Sequence, residues 1–213
     1  MLLNIHTHLP TPDGERTVRA VGLHPWNLTS QWRQTWETLC TALVSPLLKS
    51  IPLPNESDTF YSSPSNPLFI GECGLDKVCD TPYPLQLQAF QTQIEYAEQH
   101  HLPLILHCVR AMDDAIALHR STTQPWVWHG FRGKPEQLRQ LLREGFYISF
   151  GWHFNQDSLR LCPANRLFLE TDDGPSSIAP LYEQVADIRR TSIKALASQM
   201  ELNLMNVCRH IHQ

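Results

Sequence analysis

Short apolar runs recur along the chain, each ending in residues capable of chemistry: Met1 to His8, Thr17 to Pro25, Pro67 to Asp76, Leu102 to Arg110, Trp126 to Phe131, Phe146 to Trp152 and Arg166 to Asp173. Runs this short and this uniformly apolar suit strands buried on both faces better than amphipathic helices. Stretches with helical spacing lie between them. The clearest spans Leu85 to His101, where Leu87, Phe90, Ile94 and Ala97 recur on one face and Pro84 stands where a first turn tolerates it. Thr29 to Leu43, Ala111 to Arg120, Pro135 to Arg143 and Ile178 to Met200 read the same way. Strand and helix therefore alternate, which predicts an α/β fold with a parallel sheet, either a barrel or an open sheet.

One stretch breaks the rhythm. Ser45 to Pro67 carries five prolines among Ser and Asn, a composition for an irregular surface loop. Too little sequence precedes it for a second core, so residues 1–213 are expected to form one domain. The length of 213 residues and the 42% hydrophobic content are enough for a full core.

The apolar runs place ionisable side chains at strand ends. His6-Thr7-His8 sets two imidazoles on one face if Leu2 to His8 is a strand, because strand side chains alternate. Taken alone the pair is weak evidence in a chain with 11 histidines. Further metal-ligand types follow the other runs: Glu72 after Leu68 to Gly71, His107 after Leu104 to Leu106, His129 after Trp126 to Trp128, and Asp172 within Glu170 to Asp173. In a parallel barrel those ends share one rim, where active sites of this architecture are built. His107 or His129 alone would read as a buried core histidine. A carboxylate directly after an apolar run, as Glu72 is, needs a positive partner.

Such a set suits two divalent ions, Zn, Mn, Mg or Fe, with Glu72 as the bridge between them. Paired cations polarise a phosphoryl oxygen and acidify a water, so the expected chemistry is hydrolysis by a metal-activated water.

The ordered motifs His6-Thr7-His8, Gly22-Leu23-His24-Pro25, Ile70-Gly71-Glu72-Cys73-Gly74-Leu75-Asp76, His107-Cys108-Val109-Arg110, His129-Gly130-Phe131-Arg132-Gly133 and Leu169-Glu170-Thr171-Asp172 resemble those of TatD-related hydrolases, TIM-like barrels of the metal-dependent hydrolase superfamily. The resemblance implies a TIM-like parallel β/α barrel and cleavage of phosphodiester bonds, as a deoxyribonuclease or exonuclease acting on strand ends. It implies one metal on His6, His8, Glu72 and Asp172, a second on Glu72, His107 and His129, and Asp172 as the base that deprotonates the attacking water. An amide or ester hydrolase on the same metals is the alternative enzyme, and a degenerate barrel stabilised by metal the alternative without turnover.

The chain departs from the family in four places, one being the segment after Asp173, which lacks the usual Asn- and Pro-containing loop that shapes the substrate cleft. Asn4 stands where a carboxylate is usual, Trp26 where relatives often carry histidine, and only Leu9 to Arg19 separates the first motif from the second. That spacing predicts a distorted barrel of seven strands rather than eight, with closure loosened after the first.

His24, Arg110 and Arg132 are the candidates for contacting substrate. Each arginine has an ordinary reading too, Arg110 opening the next helix and Arg132 lying in a glycine-flanked turn. Cys73 and Cys108 neighbour Glu72 and His107 but face the other way on a strand, as core thiols. Trp26 and Trp152 could stack a base, Trp126 and Trp128 read as packing residues, and His119 as a solvent-facing helix residue.

A formal net charge of −4 argues against a broad electrostatic grip on long nucleic acid. A small anionic phosphodiester or a single-stranded DNA end remains a suitable substrate. The six cysteines form no C-x-x-C pair, no secretory segment precedes Asn4, and no apolar run is long enough to span a bilayer. Those features suggest a cytoplasmic protein away from membranes, and no pattern points to an obligate protein partner.

Overall fold

The computed structural model describes residues 1–44 and 68–208. The expected loop over 45–67 lies outside the described residues, as do His210 and His212.

The strands are β1 (Leu2–Asn4), β2 (Glu15–Thr17), β3 (Arg19–Val21), β4 (Leu68–Asp76), β5 (Leu104–Val109), β6 (Trp126–Trp128), β7 (Tyr147–Phe150) and β8 (Leu167–Leu169). The helices are α1 (Trp32–Val44), α2 (Tyr83–Gln99), α3 (Met112–His119), α4 (Pro135–Arg143), α5 (Gln156–Leu161), α6 (Ala179–Arg189) and α7 (Ile193–Cys208). Strands β3 to β8 lie side by side in chain order, all parallel, and β1 pairs in parallel with β2. From β4 to β8 helices carry the chain back between successive strands, the crossover that parallel neighbours require.

The sheet curls towards closure through two contacts. Beyond β1 and β8 the chain stays paired, with Ile5 N donating to Leu169 O, His8 N to Asp172 O, and an isolated bridge joining Thr7 to Asp172. On the other side, β2 pairs with β1 and β3 with β4, and Val18 alone separates β2 from β3. Seven strands were expected and eight segments are present, but β2 and β3 follow one another as a nearly continuous extended stretch. No helix lies between β1 and β2, and the strands divide into a two-stranded sheet, β1 with β2, and a six-stranded sheet from β3 to β8.

Packing follows the apolar runs. Phe69, Ile70, Leu104 to Leu106, Trp126, Val127, Ile148, Phe150 and Leu167 to Leu169 are all fully buried. On α2 the buried positions Gln86, Ala89, Phe90, Gln93, Ile94 and Ala97 form one face. Its two buried glutamines serve as strand surrogates. Gln86 accepts from Asp76 N at 2.7 Å and donates to Asp76 O at 2.9 Å, while Gln93 accepts from Leu23 N at 2.6 Å and donates to Leu23 O at 3.2 Å. Each amide satisfies the backbone N–H and C=O of a residue at or just past a strand end.

Two helix expectations change. Ile178 to Met200 is not one helix, because Arg190 turns left-handed (φ 52°) and ends α6 with Thr191 N bonded to Ala186 O. His119 is half-buried rather than solvent-facing, its ring 4.2 Å from that of Phe146 and 5.1 Å from that of Trp126.

Candidate metal centre

Glu72 sits where β4 bends. Between Ile70 and Cys73 the register against β5 shifts by a residue, a β-bulge that re-aims the side chain in between. Gly71 and Gly74 flank it with φ of 153° and 147°, and a Cβ on Gly74 would lie 1.9 Å from the His107 carbonyl oxygen. Only glycine permits that approach, so β4 and β5 close tightly while Glu72 turns into the mouth of the curled sheet.

Five imidazoles converge on this carboxylate, and its two oxygens divide them. Oε2 lies 3.1 Å from His6 Nε2 and 3.5 Å from His8 Nε2. Oε1 lies 2.8 Å from His107 Nδ1, 2.9 Å from His129 Nε2 and 3.4 Å from His24 Nε2. Asp172 Oδ1 completes the first set, 3.5 Å from His8 Nε2 and 3.7 Å from His6 Nε2. Asp172 is delivered there by the pairing beyond β8, its N bonded to His6 O, and its backbone is left-handed at φ 53°.

The donor atoms of His6, His8, Glu72 and Asp172 all lie within 4.8 Å of one another, as do those of His24, Glu72 and His107. His129 reaches the same Glu72 oxygen as the second group. The structure therefore brings together all six residues expected as ligands, and His24, expected to contact substrate, lies among them.

The donor set fits divalent cations. A carboxylate offers about four lone-pair sites, fewer than five ring N–H groups would need, and unprotonated ring nitrogens would oppose its charge. A cation between nitrogen and oxygen removes that conflict. Ligands about 2.1 Å from an ion sit roughly 2.9–3.4 Å apart at the corners of an octahedron or tetrahedron, close to the spacings around Glu72.

Two buried carboxylates hold the second set from behind. His129 Nδ1 is 2.9 Å from Glu170 Oε1, which also accepts from Gly130 N at 2.6 Å, and His107 Nε2 is 3.4 Å from Asp76 Oδ2. A carboxylate on the far ring nitrogen fixes the tautomer and strengthens the near nitrogen as a donor. Asp76 and Glu170 stand within the sequence motifs, where nothing in the pattern marks them as partners of imidazoles. Asn4, fully buried, meets no ligand; its amide donates to Thr171 Oγ1 and accepts from Thr171 N.

The electrostatics follow from burial and pairing. Burial disfavours a charged Glu72, but the field of His129 and hydrogen bonds from His107, His129 and His24 outweigh it, so the carboxyl stays well below its usual range. Burial likewise opposes protonation of His129, and Glu170 and Glu72 overturn that to raise it well above an ordinary histidine. His8 is raised mainly by its hydrogen bond to Glu72, whereas burial lowers His24.

The remaining candidates lie at the edges. Arg110 and Arg132 are exposed just past β5 and β6 and form no ion pair among the described residues. Cys73 is fully buried and points its Sγ at the carbonyls of Ile70 and Ile105, and burial pushes the Cys108 thiol up to about 12. Trp126 and Trp128 are packed in the core.

Sheet and cluster together define a class: a TIM-like β/α protein with a candidate metal centre at the carboxyl ends of its strands. The chain belongs to the TatD-related DNase family, which it matches over residues 11–209. It is 28% identical over 215 residues to the "3'-5' ssDNA/RNA exonuclease TatD" of Erwinia amylovora, a match covering 85% of this chain and 74% of that protein. With the protein of that name from Enterobacter lignolyticus it shares 32% over 168 residues, covering 71% and 55%. The "Uncharacterized metal-dependent hydrolase YabD" of Bacillus subtilis is 28% identical over 153 residues, covering 61% and 60%. The chain thus spans between 55% and 74% of the length of these relatives.

The fold is shared with solved structures. YJJV, a TatD homolog of Escherichia coli, superposes with a TM-score of 0.68 at 22% identity over 90% of this chain and 76% of that one. A TatD family hydrolase of Entamoeba histolytica gives 0.68 at 18%, over 91% and 75%.

Proposed function

We propose that this chain is a divalent-metal-dependent hydrolase of phosphodiester bonds, acting on small phosphodiesters or single-stranded nucleic acid ends. The division of the histidines between the two oxygens of Glu72 is the observation that carries this reading, since it would let one carboxylate serve two ions. His6, His8, Glu72 and Asp172 would hold one ion; Glu72, His107 and His129, with His24 alongside, would hold the other. The names of the relatives support metal dependence and a nucleic acid substrate. Unpaired thiols suit a reducing compartment such as the cytoplasm. Among the described residues no helix is long and apolar enough to cross a membrane.

When bound, the cations supply Lewis acidity toward a phosphoryl oxygen and lower the pKa of a water. Asp172 takes the proton of the attacking water at its carboxylate. Its side chain is 30% exposed while Glu72 is 6% exposed, so Asp172 is the carboxylate of the pair that water can reach. Arg110 and Arg132, exposed and without ion pairs among the described residues, are available for the phosphate charge.

The experiment is a chelator-controlled assay with a short single-stranded oligonucleotide, a generic phosphodiester and an amide and ester panel. We expect phosphodiester cleavage that chelator abolishes and that Asp172→Asn lowers at least ~100-fold with metal content retained. Cleavage of the amide or ester substrates alone would overturn the substrate assignment. Metal binding without turnover on any of them would overturn the enzyme reading.

A further inference from the structure

Two large apolar side chains are exposed on segments that follow cluster residues in the chain: Trp26 at 59%, two residues after His24, and Val78 at 57%, two residues after Asp76. Both segments are tied to one carboxylate. Asp76, only 3% exposed, accepts from Trp26 Nε1 at 2.6 Å through Oδ2, and from Val78 N at 2.7 Å and Cys79 N at 3.3 Å through Oδ1. The indole has no other polar atom, so what it shows to solvent is apolar ring. Its ring also meets those of His24 and His107 edge to face, at centroid separations of 4.8 and 5.6 Å.

Singly exposed aromatics are ordinary on protein surfaces. Trp26 differs in being fixed on its inner side by a buried carboxylate and two imidazoles of the candidate centre. An aromatic immobilised before binding loses little conformational freedom when something stacks on it.

We propose that Trp26, backed by His24 and His107, is the stacking platform for an unpaired nucleobase adjoining the phosphodiester held at the Glu72 cluster. This rests on the phosphodiesterase reading and adds the part of the substrate recognised beyond its phosphate. Every base has a π-face, so the platform selects an unstacked base without selecting its sequence. With a net charge of −4, the chain does not have a large cationic excess to attract the backbone, and stacking supplies affinity independent of charge.

The test is equilibrium binding of a fluorescent single-stranded oligonucleotide and its abasic counterpart, in the Asp172→Asn background so that no strand is consumed. Adding Trp26→Ala is expected to raise the Kd of the base-bearing strand about tenfold and leave the abasic strand's unchanged, with Trp26→Phe restoring part of the difference. Thermal midpoint and metal content of each variant separate lost stacking from lost structure. Equal weakening of both strands, or of neither, overturns the platform. Turnover by the wild type is read separately: base-dependent binding without cleavage would overturn the hydrolase reading alone.

Discussion

At the scale of single residues, two glycines and one carboxylate decide the site. Gly74 is the most constrained, because a methyl group there would overlap the His107 carbonyl at 1.9 Å and the backbone sits at φ 147°. Gly74→Ala should destabilise the protein by roughly 2–5 kcal/mol, combining overlap with backbone strain. Gly14→Ala, with φ 85° but nothing within 4 Å, should lose only about 1 kcal/mol. Urea unfolding of the two variants measures the contrast, and equal losses would contradict the close approach. The clustering of the six expected residues was legible in the sequence because each ends an apolar run and together they follow one ordered set of motifs, although His107 or His129 alone would read as a core histidine. The bulge was not. Glycine at 71 and 74 reads equally well as a turn, and only the register between β4 and β5 reveals the extra residue. For the same reason Asp76 and Glu170 could not be told from neighbouring polar residues: their importance lies in which imidazole nitrogen they face.

Among the elements, α2 does more than cover the sheet. Its periodic apolar positions predicted the helix, yet its buried glutamines carry the consequence, since Gln93 closes the backbone at Leu23 and so fixes the approach of His24. Gln93→Leu should leave the Leu23 N–H and C=O without partners, lowering stability by about 2–4 kcal/mol. Thermal unfolding checks this, and a neutral outcome would mean that water replaces the amide. Glutamine on a helix ordinarily reads as surface, which is why pattern alone missed it. The same limit explains β2, whose Glu15, Arg16 and Thr17 carry no apolar signal because pairing with β1 rather than burial makes it a strand. It also explains the break between α6 and α7, where an arginine rather than a glycine adopts the left-handed cap.

For the whole molecule, strand order and function meet at one rim. Alternation of strand and helix made the parallel fold legible, while the manner of closure depended on backbone pairing that no composition encodes: β1 to β8 on one side, β2 running into β3 on the other. The first set of ligands straddles the β1 to β8 closure, with His6 and His8 on one side and Asp172 on the other. A cation held there would join the two ends of the sheet and would link metal binding to stability. The most direct test is to count divalent ions on the purified protein, then compare thermal unfolding with and without chelator in the wild type and in Glu72→Ala. Two ions per chain are expected, with a chelator-induced fall of several degrees in Tm, and a Glu72→Ala variant that retains fold but neither binds two ions nor responds to chelator. A wild type that carries no metal when supplied with Zn, Mn, Fe or Mg, and whose Tm is indifferent to chelator, would contradict this expectation.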